Sequence, residues 1–197
     1  MIKEIDNALT SEHEHIMIQV IKEFILWIGD NPDREGLKDT PMRFINSTSE
    51  LFGGYAINPK EFLKKTFEDI TDYDEMIILK DTPIFSYCEH HLVPFMGKVH
   101  IGYIPNKKIV GISKLARVAD AYARRLQIQE KLTLEIASVI QEVLEPKGVG
   151  VFIEATHYCV AARGIKKHGS TLVTSKMFGI FKEDPAIRKE FFDALKS

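Results

Sequence analysis

The order in which helical and strand-like patterns follow one another constrains the fold of this chain more than any other feature. Apolar residues recur at the spacing of one helix face from about residue 12 to 28 and predict a first helix. Thr40 followed by Pro41 is typical of a helix start and predicts a second helix, which ends near Gly53. We therefore expect an N-terminal helical region that comprises residues 1–74.

After about residue 75, runs rich in β-branched and aromatic residues predict antiparallel strands. The turn-like "NKK" after "FMGKVHIGYIP" predicts a hairpin whose second strand is "IVGIS". A strongly helical stretch, residues 113–146, loses its apolar phase near "QIQEK" and predicts two helices. Helices first, then antiparallel strands interrupted by a helical pair, predict an α+β fold rather than a doubly wound α/β sheet.

The charge and composition exclude several classes of protein. A formal net charge of −2 gives no electrostatic signature of nucleic-acid or acidic-membrane binding, so we expect neither as a partner. No apolar run approaches the roughly 20 residues that a membrane span needs, and the charged N-terminus does not resemble a signal peptide. We expect a cytoplasmic protein, in which the two cysteines, Cys88 and Cys159, form no structural disulfide.

Both cysteines lie close to histidines. Cys88 and His91 have C-x2-H spacing, which lets a tight turn aim both side chains at one ion. His157 and Cys159 are two positions apart in "EATHYCV", where the alternation of a strand would put them on one face. Thiolates and imidazoles are ligands suited to zinc. The two segments together predict a zinc site.

The spacing leaves open which histidine would bind the ion, because His90 and His91 are adjacent. A structural zinc site is normally closed by four protein ligands, whereas a catalytic site has three and keeps one position for water. Two cysteines and one histidine would leave two histidines for proton transfer. The alternative is a pair of buried cysteines with a few hydrogen-bonded histidines and no ion.

Cations at the start of the long helical stretch predict an anion site. Ser113 is suited to be the N-cap, with Lys114 and Arg117 in the first turn, where cations oppose the helix dipole. Free backbone N–H groups with Lys and Arg side chains form a phosphate cradle. Arg163 and Arg43 are further candidates. The alternative is a solvated basic helix end.

The pair Gln129-Glu130 falls at the predicted break between the two helices, where side chains can point into a cleft. A carboxylate can accept two parallel hydrogen bonds, which matches the N1–H and exocyclic amino edge of guanine. Taken alone, such a pair is ordinarily surface.

Several of these stretches together resemble GTP cyclohydrolase I. The resemblance rests on "CEHHLVPFMGKVHIGYIP", "VGISKLARVADAYARRLQIQEKLT" and "ATHYCVAARG". It extends to nearly the whole chain through "NPDREGLKDTPMRF" and "GSTLVTSKMFGIFKEDPAIRKEF". One departure is His168, which stands where a residue such as proline is expected and to which we assign no role.

The resemblance implies a role for each candidate residue. The residues that match the zinc ligands, with one Zn²⁺ per subunit, are Cys88, His91 and Cys159. Those that match catalytic groups for proton transfer are His90, His157 and Ser113. Those that match the guanine-binding residues are Gln129 and Glu130. Those that match the triphosphate and ribose pocket are Ser113, Lys114, Arg117, Arg163 and Arg43.

The resemblance also implies the reaction and the assembly. The reaction would be zinc-dependent hydrolysis of GTP with release of formate, giving 7,8-dihydroneopterin triphosphate, the first step of tetrahydrofolate and pterin biosynthesis. Residues 75–197 would form the tunnelling fold, an antiparallel sheet with two helices on one face. Subunits would join into a homodecamer of two pentameric rings, with active sites between subunits. The alternatives are a non-catalytic, zinc-stabilised assembly subunit and a related cyclohydrolase that stops at ring opening.

Overall fold

A computed structural model describes residues 7–67 and 73–196; residues 1–6, 68–72 and 197, which belong to the predicted regions 1–74 and 75–197, lie outside the described residues. The helices are α1 Asn7–Trp27, α2 Thr40–Leu51, α3 Lys60–Leu63, α4 Ile112–Ala123, α5 Gln129–Leu144, α6 Tyr158–Ala161, α7 Ile180–Glu183 and α8 Pro185–Lys196, with a 3-10 turn at Gly53–Ala56. The strands are β1 Thr66–Phe67, β2 Ile77–Cys88, β3 Pro94–Ile104, β4 Ile109–Val110, β5 Leu126–Gln127, β6 Gly148–His157 and β7 Leu172–Gly179.

Five strands form the main sheet, in the order β5-β2-β3-β6-β7. Neighbouring strands are antiparallel, except that β5 runs parallel to the end of β2. In the chain, the helical pair α4 and α5 lies between strands β3 and β6, so the helices interrupt the run of strands as the sequence pattern predicts. The molecule is a mixed helix and sheet structure that agrees with the predicted α+β class.

Helices α4 and α5 pack against one face of the sheet and form the larger core. Leu115 and Val118 of α4 and Ile136 of α5 are buried there with Val99 of β3 and Val151 of β6. Burial of a side chain of this size stabilises the fold by about 1.5–3 kcal/mol. This core fixes the ends of β2, β5 and β6 relative to the start of α5, where the candidate site residues lie.

Helices α7 and α8 cover part of the opposite face of the sheet. Alternation along β3 turns Gly102 away from the core that contains Ile101. Phe181 of α7 and Phe191 of α8 are fully buried on that side. A Cβ atom at position 102 would lie 2.8 Å from the Phe191 ring, so glycine is needed for α8 to approach the sheet.

The predicted hairpin after β3 is wrong. The strand β4 pairs with β1 in a separate two-stranded sheet. Both edges of β3 are already hydrogen-bonded, to β2 on one side and to β6 on the other, so no edge remains for β4. The pairing of β1 with β4 instead ties the N-terminal region to the segment that leads into α4.

The helix predictions are confirmed with shifted boundaries. The first helix begins at Asn7, earlier than residue 12, and the second begins at Thr40 as expected. The two helices predicted within residues 113–146 are α4 and α5, separated by β5. None of the described helices is long and apolar enough to cross a membrane.

Candidate functional site

A tight turn after β2 brings Cys88 and His91 together. The N–H groups of His91 and Leu92 both donate to the Cys88 carbonyl, at 3.3 and 2.9 Å. Leu92 adopts a left-handed backbone conformation, with φ of 55°. The Sγ atom of Cys88 lies 3.8 Å from Nδ1 of His91. The C-x2-H segment therefore forms the turn that its spacing predicts.

Cys159 completes a group of three ligand atoms. The two Sγ atoms and a ring nitrogen of His91 all lie within 4.8 Å of one another. A tetrahedral zinc ion separates a sulfur and a nitrogen ligand by about 3.6 Å, close to the observed 3.8 Å between Cys88 and His91. The group could hold a metal ion, with one tetrahedral position left for water or substrate. No other such group is found within residues 7–67 and 73–196.

Cys159 reaches this group from a short helix and not from a strand, so the prediction that strand alternation aligns His157 with Cys159 is wrong. Strand β6 ends at His157, and Cys159 lies in α6. The neighbouring strands end at the same level, because β3 pairs last through Phe95 with His157 and β7 through Leu172 with Ala155. Among the described residues, no strand pairs with the chain beyond His157.

The chemistry of the two thiols is consistent with a cation site. Burial raises the pKa of the Cys159 thiol, and its neighbour Cys88 raises it further. A metal ion that binds a thiol stabilises its thiolate form. Two sulfurs and one imidazole nitrogen suit zinc among the common metals.

His90 lies beside this group but outside it. Its Nδ1 atom is 4.0 Å from Sγ of Cys88, yet only His91 joins both cysteines within the common 4.8 Å range. The His90 side chain is 65% exposed, and its Nε2 atom lies 3.9 Å from the Glu89 carboxylate. The rings of His90 and His91 are nearly perpendicular, at 80°. Of the two adjacent histidines, one therefore joins both cysteines and the other is exposed.

His157 is half-buried at the end of β6. Its ring stacks on Phe95, with the centroids 4.5 Å apart and the planes 7° from parallel. Its Nε2 atom lies 2.8 Å from Oε1 of Gln129. Burial lowers the pKa of His157, and the negative charge of Glu130 opposes that shift. Burial therefore favours the neutral form of the ring.

The two residues predicted to bind guanine, Gln129 and Glu130, differ in their exposure to solvent. Gln129, the first residue of α5, has no exposed surface. Its side-chain amide donates to the carbonyl groups of Ile153 and Leu172. Glu130 is exposed, and its carboxylate accepts no hydrogen bond within the described part of the chain. Glu130 is thus the member of the pair that is open to a ligand.

Ser113, Lys114 and Arg117 lie in the first two turns of α4, but the prediction that Ser113 caps this helix is wrong. The helix begins at Ile112, and the residue in the cap position is Gly111, whose backbone is extended. The Gly111 carbonyl already accepts the first helical hydrogen bond, from the Lys114 N–H at 2.8 Å. Ser113 is exposed, and its hydroxyl has no hydrogen-bond partner among the residues that the structure describes.

The structure separates these cations from the metal group of the same chain. Helix α4 has 12 residues and is about 18 Å long. Its last residue, Ala123, leads into β5, where Gln127 pairs with Cys88. The start of α4, with Lys114 and Arg117, is at the other end of the helix.

The remaining two arginines lie on other elements. Arg43 is in α2, where it pairs with Asp39 at 3.2 Å across the exposed helix surface. Arg163 is exposed and follows α6 by two residues. No ion pair involves Arg163 among the residues that the structure describes.

Comparison with known proteins identifies the family to which this chain belongs. The model of the GTP cyclohydrolase I family matches residues 17–196. The chain belongs to the GTP cyclohydrolase I family. It is 50% identical over 178 residues to GTP cyclohydrolase 1 of Sinorhizobium fredii (strain NBRC 101917 / NGR234), a match of 90% of this chain and 87% of the relative. It is 48% identical over 177 residues to GTP cyclohydrolase 1 of Brucella suis (strain ATCC 23445 / NCTC 10510), covering 90% and 83%.

Membership of the GTP cyclohydrolase I family confirms the resemblance seen in the motifs, and with it that the chain is an enzyme. Among solved structures, the crystal structure of the archaeosine synthase QueF-Like in the apo form matches 53% of this chain and 93% of its own, with a TM-score of 0.45 and 19% identity. That likeness is too weak to establish a shared fold, so the tunnelling fold stays a prediction.

In this GTP cyclohydrolase I family member, a cavity of about 290 Å³ opens beside His157. Its lining residues are His157, Val160, Ser170, Thr171 and Leu172. The sequence did not identify Ser170 and Thr171 as site residues, because no spacing rule relates them to His157. Only the pairing of β7 with β6, through Leu172 and Ala155, brings them to the cavity.

Proposed function

We propose that this enzyme catalyses the zinc-dependent hydrolysis of GTP with release of formate, giving 7,8-dihydroneopterin triphosphate in the first step of tetrahydrofolate and pterin biosynthesis. The observation that carries the proposal is the group of Cys88, His91 and Cys159, next to His157, in a member of the GTP cyclohydrolase I family. The relatives in Sinorhizobium fredii and Brucella suis are named GTP cyclohydrolase 1, which supports GTP as the substrate.

We assign Cys88, His91 and Cys159 as the three protein ligands of one Zn²⁺ per subunit. The separation of Cys88 and His91 is close to that of tetrahedral coordination, and all three ligand atoms lie within 4.8 Å of one another. When bound, zinc lowers the pKa of a water molecule toward neutrality and makes hydroxide available to the imidazole ring of guanine. Three ligands with one open position favour this catalytic role over a closed structural site.

We assign proton transfer to His157, His90 and Ser113. His157 lines the cavity, which supports its role in transferring a proton to N7 of guanine and making C8 more electrophilic. His90 is exposed beside Cys88, and the Ser113 hydroxyl has no capping role, so both are open to substrate. We assign them the later transfers, in which the ribose opens, undergoes an Amadori rearrangement and closes the new ring.

We assign recognition of the guanine edge to Glu130, because its exposed carboxylate can accept both N1–H and the exocyclic amino group. Gln129 does not face the ligand but supports the same pocket through its contact with His157. The triphosphate and ribose are assigned to a set of cationic and hydroxyl side chains: Ser113, Lys114, Arg117, Arg163 and Arg43.

We further propose that each active site lies between subunits of a homodecamer built from two pentameric rings. The length of α4 separates Lys114 and Arg117 from the metal group of the same chain, which supports the proposal that a second chain supplies them. The sheet supports edge-to-edge joining, because β7 is an edge strand and β5 covers only two residues of β2 on the other edge. Helix α1 adds exposed apolar surface, with Trp27 82% exposed.

Under this proposal residues 75–197 form a tunnelling-fold catalytic domain that works as one unit with the helical region 1–74. The packing of α4 and α5 on one face of the sheet supports that fold. A hydrogen bond from Arg125 to the Gly54 carbonyl, at 3.0 Å, joins the two regions. We propose a cytoplasmic location, in keeping with two free cysteines that act as metal ligands.

The test is turnover of GTP by the zinc-loaded protein, with the products identified by mass. We expect one formate for each GTP consumed, together with 7,8-dihydroneopterin triphosphate, which becomes a fluorescent pterin after oxidation. A chelator should abolish both products, and added zinc should restore them. A ring-opened product without formate would replace the proposal by a cyclohydrolase that stops earlier. GTP left unchanged by the zinc-loaded protein would refute it.

A further inference from the structure

The side chain of Gln129 is completely buried and is hydrogen-bonded at both ends of its amide. A glutamine that contacts guanine directly would need an amide open to the ligand. The contacts of Gln129 instead run into the protein, toward β6 and β7 on one side and toward His157 on the other.

The orientation of the Gln129 amide follows from its partners. Its Nε2 atom lies 3.1 Å from the Ile153 carbonyl oxygen and 3.0 Å from that of Leu172. Carbonyl oxygens only accept hydrogen bonds, so the NH₂ group has to face them. The Oε1 atom consequently faces His157.

Hydrogen bonds of two threonines, Thr133 and Thr174, also support this orientation of the Gln129 amide. The Thr133 hydroxyl donates to the Gln129 backbone carbonyl at 2.7 Å, which uses its single hydrogen. The contact of 2.6 Å between Thr133 and Thr174 is then a hydrogen bond donated by Thr174. The Thr174 oxygen lies 3.1 Å from Nε2 of Gln129 and accepts a hydrogen that the amide shares with one of the two carbonyl groups, because the NH₂ group has two hydrogens for three acceptors. All three neighbours of Nε2 therefore accept, which fixes the orientation of the amide.

The contact with Gln129 also determines the tautomer of His157. An amide oxygen only accepts, so the Nε2 atom of His157, at 2.8 Å from Gln129 Oε1, has to carry a hydrogen. In the neutral ring Nδ1 then holds the lone pair. The parallel stack on Phe95 fixes the plane of the ring, and Gln129 fixes its rotation within that plane.

We propose that Gln129 is a positioning residue that locks His157 in its Nε2–H tautomer, so that the lone pair of the ring lies on Nδ1. Gln129 makes no contact with guanine. The inference rests on the role proposed above for His157.

The tautomer is measured on the zinc-loaded enzyme without substrate, in slightly alkaline buffer, from long-range ¹H–¹⁵N correlations of the histidine rings. The His157 signals are assigned by their loss in His157→Asn. We expect the pattern of an Nε2–H ring. In Gln129→Met, which has similar length but no hydrogen-bonding groups, we expect this pattern to be lost or mixed with that of the other tautomer. An Nδ1–H pattern in the wild type would overturn the proposal.

Kinetics separate positioning from substrate binding. We expect Gln129→Met to lower kcat by about 10- to 100-fold with little change in KM. Gln127→Met is the matched control, because Gln127 is equally buried but bonds to Tyr122 and Glu135 and to no histidine. It should keep the wild-type tautomer of His157 and lose little activity. A raised KM with unchanged kcat in Gln129→Met would make Gln129 a guanine ligand and overturn the proposal.

The two measurements also distinguish this inference from the proposed function. The tautomer is set without GTP, so a wild-type enzyme with the Nε2–H pattern but no release of formate would refute the function and the catalytic role of Gln129 with it. An active enzyme whose His157 signals do not respond to Gln129→Met would refute the inference and leave the function standing.

Discussion

The Sγ atom of Cys88 and the Nδ1 atom of His91 lie 3.8 Å apart, although one residue ends a strand and the other lies in the turn that follows it. Backbone hydrogen bonds to the Cys88 carbonyl hold this turn, so the spacing is set by the fold. A tetrahedral zinc ion needs about 3.6 Å between such atoms. The turn therefore presents two of the three atoms that could hold a metal ion, and Cys159 of α6 supplies the third.

We expect His91→Ala and Cys159→Ala each to reduce the zinc content from about one ion per subunit to near zero after dialysis, because two ligands hold zinc far less well than three. Formate release should be lost with the metal. The measurement is metal analysis beside circular dichroism, which checks that the variants are folded. A Cys159→Ala enzyme with full activity and unchanged zinc would rule out the ligand assignment.

His90→Ala is the matched variant, because it removes the neighbouring imidazole, which lies outside the metal group. We expect it to retain zinc and to lose turnover by about 10²–10⁴-fold, the usual contribution of an acid–base group. The pair of alanine variants at positions 90 and 91 thus separates proton transfer from metal binding. Loss of zinc in His90→Ala but not in His91→Ala would mean that the two histidines are assigned the wrong way round.

The parts of the site that the sequence predicts well are local. The C-x2-H turn uses four consecutive residues, and the two hydrogen bonds that the Cys88 carbonyl accepts come from the nearby His91 and Leu92. The break between α4 and α5 also follows from a local loss of apolar phase. Such features need no knowledge of which distant segments meet.

The parts that the sequence misses depend on pairing between distant segments. The partner of β4 is decided by β2 and β6, which occupy both edges of β3. The burial of Gln129 depends on β7, because its amide reaches the Leu172 carbonyl. Cys159 lies in a helix because β6 loses its neighbours at His157. None of these conditions can be read from residue spacing.

Glu130→Ala tests the recognition of the guanine edge. A carboxylate that accepts N1–H and the amino group should discriminate GTP from inosine triphosphate, which lacks the amino group. We expect the wild type to prefer GTP in kcat/KM and Glu130→Ala to lose about 10- to 100-fold for GTP but much less for inosine triphosphate. Glu145→Ala, an exposed glutamate at the other end of α5, is the control. Equal losses for both nucleotides would contradict the role of Glu130.

An active site shared between chains predicts complementation between inactive variants. Lys114→Ala and Cys159→Ala, co-expressed with different tags and purified through both, should form mixed oligomers in which about a quarter of the sites contain both intact groups. We expect about that fraction of the wild-type formate release. Cys88→Ala with Cys159→Ala is the control, because both changes affect the metal group of one chain. Mixed oligomers of the first pair without activity would place both groups in the same chain.

His100 gives the fold a dependence on pH that is separate from catalysis. It is only 3% exposed, and the Asp81 N–H donates to its Nδ1 atom at 3.2 Å. Its Nε2 atom has no hydrogen-bond partner among the described residues, and the Glu154 carboxylate is 3.9 Å away. Burial lowers the pKa of His100 below its ordinary 6.5; Asp81 and Glu154 oppose the shift, and Lys98 and Lys80 add to it.

We expect the free energy of unfolding to fall as the pH drops below the ordinary pKa of 6.5 for His100. Because the folded pKa is lower, the unfolded chain binds the proton first, so this contribution is complete above 6.5 and is lost on acidification. The carboxylates of Asp81 and Asp193, whose pKa values are lowered from 3.8, act only in a more acidic range. The measurement is the urea midpoint from about pH 7.5 to about pH 5, at one protein concentration.

His100→Asn should flatten this dependence, because the asparagine side-chain oxygen can still accept the Asp81 N–H but does not titrate. His13→Asn is the control at an exposed histidine and should retain the wild-type slope. The slope of the free energy of unfolding against pH is proportional to the number of protons taken up on unfolding. The difference in slope between the two variants therefore gives the contribution of His100. A His100→Asn enzyme with the wild-type slope would show that other groups titrate in this range.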